Sequence, residues 1–122
     1  MRQWMVDPKY LCAKHLLGEH LEMHMFLGTI KKKISIKGYL KNNLLEPLSI
    51  ESRHEELAVE MTRRGMNHKT PLKVFNVDLE HLTEAELTHK IDRPKAANDL
   101  ITRCIECTRR IYLEEVKNEQ HR

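Results

Sequence analysis

Three side chains near the N-terminus have the types and spacing to do chemistry together. His15, Glu19 and Glu22 fall at i, i+4 and i+7 within a leucine- and methionine-rich segment. On a helix they share one face within about 60° and can meet a common ligand. Burying a carboxylate is costly unless it is paired or hydrogen-bonded, so a carboxylate stripe on an apolar helix indicates a site. The alternative is a face that points at solvent or pairs with arginines and lysines of another helix. The chain's own α-amino group is a further reactive group. Its reference pKa of about 7.7 to 8.0 leaves a sizeable neutral fraction at pH 7, whereas a lysine near 10.4 needs strong perturbation to act as the same nucleophile. Arg2 is bulky, so the initiator methionine is expected to be retained and the amine to sit on Met1.

Other constellations have metal-ligand spacing. His20 and His24 form an i, i+4 pair, but the order His20-Leu21-Glu22-Met23-His24 turns the glutamate roughly 160° away from the first histidine, unlike the His-Glu-x-x-His pattern of zinc proteases. Cys12-Ala13-Lys14-His15 and Cys104-Ile105-Glu106-Cys107 together offer a Cys₃His set. Helical i, i+3 spacing equally places two thiols on one apolar face, and free cysteine is among the most buried residue types. The expectation is therefore metal-free thiols and no cofactor, with a zinc staple between the first and last helices as the alternative.

The elements that must position these groups read as helices. Asp7-Pro8 opens a long helix to about Thr29, with Leu16, Leu17, Leu21, Met23, Met25, Phe26 and Leu27 covering nearly its whole circumference, which predicts a central helix. Lys31, Lys32 and Lys33 follow at its C-terminal end, and residues 38–43 form a connection with room for a short helix. Ser49 or Ser52 can cap a second helix carrying Ile50, Leu57, Ala58 and Met61 and stopped by Gly65. Residues 66–71 read as a loop, and Lys73 to Val77 as the single candidate strand. Thr83-Glu84-Ala85-Glu86 is a capping box, and Asp92-Arg93-Pro94 starts a last helix with Ala97, Leu100, Ile101, Cys104, Thr108 and Ile111 on one stripe. Its tail, residues 114–122, is charged enough to fray.

With 122 residues, 40% hydrophobic and 32% charged, the chain suits one compact all-α domain around a central N-terminal helix, and excludes a two-domain cofactor enzyme or a disordered chain. The charge balance of 21 Lys+Arg against 18 Asp+Glu excludes a general polycation, so binding to an acidic polymer must come from local placement. No apolar run is long enough for a membrane span, and the first eight residues lack a signal-peptide core, so a cytosolic protein is expected. An odd number of cysteines, three, makes no disulfide framework.

The stretch His15-Leu16-Leu17-Gly18-Glu19-His20-Leu21-Glu22, with Met1-Arg2 ahead and Arg63-Arg64-Gly65-Met66-Asn67-His68-Lys69-Thr70-Pro71 behind, resembles the pyrimidine-dimer DNA glycosylases of the phage endonuclease V type and their bacterial and archaeal relatives. The resemblance is ungapped from residue 1 to about 30, loose to about 71 and weak beyond. It implies a small all-α fold and a nucleophile that is the terminal amine, which attacks the sugar C1′ of a damaged nucleotide, expels the base and forms an imine that breaks the strand by β-elimination. By the same resemblance Glu22 is the catalytic glutamate, Met1 carries the amine, Arg2 is the phosphate-binding arginine and His15 lines the site. Glu19 then orients Glu22 or binds basic groups, and Lys14, Lys31, Lys32, Lys33, Arg63, Arg64 and Lys69 are candidate phosphate contacts.

The resemblance implies damaged double-stranded DNA as partner and a monomer acting without cofactor. Two departures stand out. Leu21 and Met25 replace arginines of the phage member, and Ile111-Tyr112-Leu113 with a charged tail has no equivalent of its aromatic C-terminal segment. The competing readings are a helical nucleic-acid-binding module without catalysis and a zinc-stapled structural domain; blocking the terminal amine separates the first, chelation the second.

Overall fold

A computed structural model describes residues 1–66 and 79–120. The fold is all-α, and among the described residues there is no strand. The candidate strand at residues 73–77 and the loop beyond Met66, with Lys69, lie outside the described residues.

The first long helix begins later than its proline suggests. Asp7 does cap Pro8, accepting a hydrogen bond from the Lys9 backbone N–H at 3.1 Å, but Pro8–Tyr10 is only a 3₁₀ turn. Leu11 turns extended and is fully buried, and α1 (Ala13–Lys31) starts after Cys12. A short α2 (Lys37–Lys41) occupies the expected connection, and a 3₁₀ turn at Pro47–Ser49 leads into α3 (Ile50–Arg63). Ser49 stands at the α3 N-cap position, yet its hydroxyl donates to Glu46 Oε2 at 2.7 Å instead of capping the helix. Gly65 ends this region at φ +79, a left-handed conformation that favours glycine. The capping box of Thr83 and Glu86 is formed at α4 (Glu84–Leu87).

One helix expected after Asp92 is two. α5 (Arg93–Arg103) is capped by Asp92, and α6 (Ile105–Gln120) follows after Cys104, which is extended at φ −134 and ψ 109. The predicted stripe is therefore interrupted: α5 buries Ala96 and Leu100, while Ile101 is exposed. The helix also continues through the charged tail as far as Gln120.

α1 packs chiefly against α3, and α6 against α5 and the first 3₁₀ turn. Leu16, Met23, Phe26 and Ile30 from α1 meet Leu57 and Met61 from α3, with Trp4, Leu11 and Leu100 closing the core. The apolar character of α1 is not buried all round as expected. Leu17, Leu21 and Met25, at successive i, i+4 steps, are 46%, 59% and 47% exposed and form a bare stripe. Across the α1–α3 interface runs a buried ion pair: Arg53 donates from Nε and Nη2 to both Glu19 oxygens, at 2.5 and 3.0 Å.

Candidate active site

The N-terminal segment is fixed by Gln3, which is wholly buried. Its backbone N–H donates to the Leu44 carbonyl at 2.8 Å, while its side-chain amide accepts from the Glu46 N–H at 2.5 Å and donates to the Glu46 carbonyl at 3.3 Å. This reproduces a short backbone pairing and leaves residues 1 and 2 little freedom. Trp4 is buried behind them, and Met5 takes a left-handed φ of +56 that turns the chain away toward Pro8.

The result is a concavity of about 360 Å³ lined by Met1, Arg2, Trp4, Lys14, His15, Gly18, Glu19 and Glu22, within the usual range for a small-ligand site. Glu22 is half-buried, and burial pushes its carboxyl above the usual carboxylate range. A hydrogen bond from the Arg2 backbone N–H and the nearby Met1 α-ammonium work in the other direction without cancelling it.

Arg2 lies with its guanidinium carbon 3.7 Å from the centre of the Trp4 ring, and Nη1 is 3.5 Å from Asp99 of α5. Its Nε and Nη2 are buried and find no hydrogen-bond partner among the described residues, a costly state for charged donors. Gly18 leaves the wall bare, since a Cβ there would meet no heavy atom within 4 Å.

Not every expected residue faces this space in the expected way. Glu19 reaches the pocket wall, but its carboxylate is fully buried against Arg53, which makes it a structural partner and not a free substrate ligand. Arg64 is away from the pocket: it donates from Nε to Glu60 at 2.6 Å and from Nη2 to the carbonyls of Pro8, Lys9 and Leu11 at 3.1, 3.4 and 2.7 Å, clamping the end of α3 to the first 3₁₀ turn. Arg63 pairs with the same glutamate. Lys14 is exposed on the pocket's edge, whereas Lys31, Lys32 and Lys33 are exposed at the end of α1. At 1.5 Å per residue Lys31 stands about 14 Å beyond Glu22 along the axis. A larger concavity of about 530 Å³ is lined by Asp7, Glu55, Glu56 and Glu60 and is unsuited to a polyanion.

A profile of pyrimidine dimer DNA glycosylases matches residues 1–74, which include the amine, the α1 face and α3. The chain belongs to the pyrimidine dimer DNA glycosylase family. No curated protein and no solved structure matches it.

In this family member two sets of side chains could hold a metal. His20, His24 and His54 bring their rings together with centroids 4.4 to 5.3 Å apart, and their ring nitrogens lie within 4.8 Å of one another. Cys12, His15, Cys104 and Cys107 converge as closely. His15 lines the concavity beside Met1 and Glu22 with its ring edge-on to Trp4 at 5.5 Å, while its Nδ1 faces the thiols. Burial lowers its pKa and favours the neutral imidazole. Sequence reasoning missed Gln3, Asp99 and Arg53, each of which positions a site residue by a contact more than thirty residues away along the chain.

Proposed function

We propose that this protein excises the base at pyrimidine dimers or related lesions in double-stranded DNA and cleaves the resulting abasic strand, acting as a monomer whose reaction chemistry uses no cofactor. The observation that carries the reading is that Met1, Arg2 and Glu22 line one concavity, with the α-ammonium close enough to act on Glu22 electrostatically. In this reading the neutral α-amine of Met1 attacks C1′ of a flipped nucleotide and the C1′–N bond to the base breaks, the base leaving protonated. The sugar ring opens to an iminium at C1′. Glu22 then removes a 2′ proton and the C3′–O bond breaks, releasing the 5′-phosphate strand; hydrolysis of the imine restores the amine.

The remaining groups fit supporting roles. Arg2, which lines the concavity beside Met1, suits the lesion's phosphate. Lys14 on the edge, with Lys31 and Lys32 farther along α1, suits neighbouring backbone phosphates, contacts that position without reading sequence. The missing side chain at Gly18 gives the sugar and base room beside the helix. The test is cleavage of duplexes carrying one thymine dimer or one abasic site. Glu22→Gln is expected to lose at least about a hundredfold in turnover on both, the lower range for general acid/base work, while binding duplex as before. Cleavage at the wild-type rate contradicts the assignment.

A further inference from the structure

We propose that Cys12, His15, Cys104 and Cys107 form a closed tetrahedral site for one structural zinc ion that ties the first turn of α1 to the elbow between α5 and α6. A tetrahedron with metal–sulfur bonds of about 2.3 Å and a metal–nitrogen bond of about 2.0 Å separates two sulfurs by about 3.8 Å, and sulfur from nitrogen by about 3.5 Å. The structure has Cys12 Sγ and Cys104 Sγ 3.8 Å apart, and His15 Nδ1 3.5 Å from Cys107 Sγ and 3.2 Å from Cys12 Sγ. All four donor atoms lie within 4.8 Å of one another. No disulfide is formed among them.

The local backbone has the form such a site requires. Two cysteines on one continuous helix would need only i, i+3 spacing, but Cys104 is extended and breaks α5 from α6, although residues 95–120 contain neither glycine nor proline to force a break. Cys12 likewise stands outside its helix as the α1 N-cap and makes no side-chain capping bond. Backbone N–H groups donate to two of the sulfurs, Cys12 to Cys107 Sγ at 3.2 Å and Cys107 to Cys104 Sγ at 3.4 Å. Outer-sphere donors of this kind hold metal-bound thiolates.

Four protein ligands leave no open position, the mark of a structural and not a catalytic zinc site. Its place explains its use. Cys12 and His15 flank Lys14 at the catalytic concavity, and α5 carries the Asp99 that holds Arg2, so the ion fixes one wall of the pocket and one support of its arginine. Cys104 and Cys107 lie outside the family match, whose last residue is 74, so the staple joins the matched region to the C-terminal helices.

The test uses the full-length chain without a polyhistidine tag and does not read cleavage activity. Elemental analysis is expected to find about one zinc per chain, and the chelated protein to rebind one equivalent of Zn²⁺. With free Zn²⁺ at about a hundred times Kd, Tm is expected to rise by about 10 °C. Co²⁺ in place of zinc should give the intense absorption of tetrahedral thiolate ligation. Cys104→Ser, a half-buried position, should lose that absorption and most of the affinity while its helical circular dichroism persists. Chelated wild-type chain that takes up no Zn²⁺, shows no Tm change and reacts at all three thiols equally fast with and without zinc overturns the proposal, as does a Cys12–Cys104 disulfide in the native protein.

Discussion

The Arg53–Glu19 pair sets up a perturbation whose size can be worked out from its surroundings. Both side chains are buried, 2% and 0% exposed, and the guanidinium meets the carboxylate at two points, 2.5 and 3.0 Å. The exposed Glu56, 3.1 Å from Arg53 Nη1, adds little. Arg53→Met therefore leaves Glu19 charged and unpaired in the core, a change that costs about 3–5 kcal/mol. A chain of 122 residues gains about 0.26 kcal/mol/K in unfolding entropy, at about 2.1 cal/mol/K per residue. The expected drop in Tm is thus about 12–19 °C. Removing both charges in Glu19→Leu/Arg53→Met should recover most of that loss, because apolar replacements of similar volume are often neutral. Thermal unfolding followed by circular dichroism at neutral pH measures wild type and both variants. Arg53→Met within about 1 kcal/mol of wild type would refute the reasoning, because a loss that small is typical of an exposed pair.

Glu22 should behave in the opposite sense. Burial raises its pKa above the ordinary 4.5, so the folded state binds its proton more tightly than the unfolded chain, and its contribution to stability is lost as pH rises through that raised value. Glu22→Gln is accordingly expected to keep or raise Tm at neutral pH while losing turnover, and the acid limb of kcat/KM in wild type should lie above the ordinary glutamate range. Gly18→Ala should stabilise α1 by about 0.5–1 kcal/mol, as in any helix interior, yet weaken binding of lesion DNA, because the added methyl enters the pocket; tighter lesion binding would contradict the assigned wall. Arg2→Gln should weaken damaged and undamaged duplex alike and make the salt slope shallower by about one unit. Arg64→Gln, removed from the pocket and tied to Glu60 and three carbonyls, should lower Tm and leave the salt slope unchanged.

Much of this arrangement is local and therefore readable from sequence. The apolar density of α1, the Thr83 capping box, the Asp92 cap and the stop at Gly65 are encoded within a few residues, and each is present. The face shared by His15, Glu19 and Glu22 follows from helical spacing alone, and all three line the concavity. Non-local partners were not legible. Arg53 resembles any other base on a charged helix until α3 lays it on α1, and that contact turns Glu19 from a substrate candidate into a structural one. The start of α1 was misplaced because Pro8 suits a 3₁₀ turn as well as an α-helix, and burial of Leu11 requires the chain to turn extended there. The elbow at Cys104 carries no glycine or proline, so periodicity alone reads straight through it.

The central claim is that the terminal amine of Met1 is the nucleophile, and reductive trapping tests it most directly. Borohydride added during reaction with abasic-site or dimer-containing duplex should link protein to DNA, and mass analysis of the digested complex should place the adduct on the peptide containing Met1. Chemical acetylation restricted to the α-amine should abolish trapping and leave the circular dichroism unchanged. An adduct on a lysine such as Lys14, or undiminished trapping by the acetylated chain, would contradict the account.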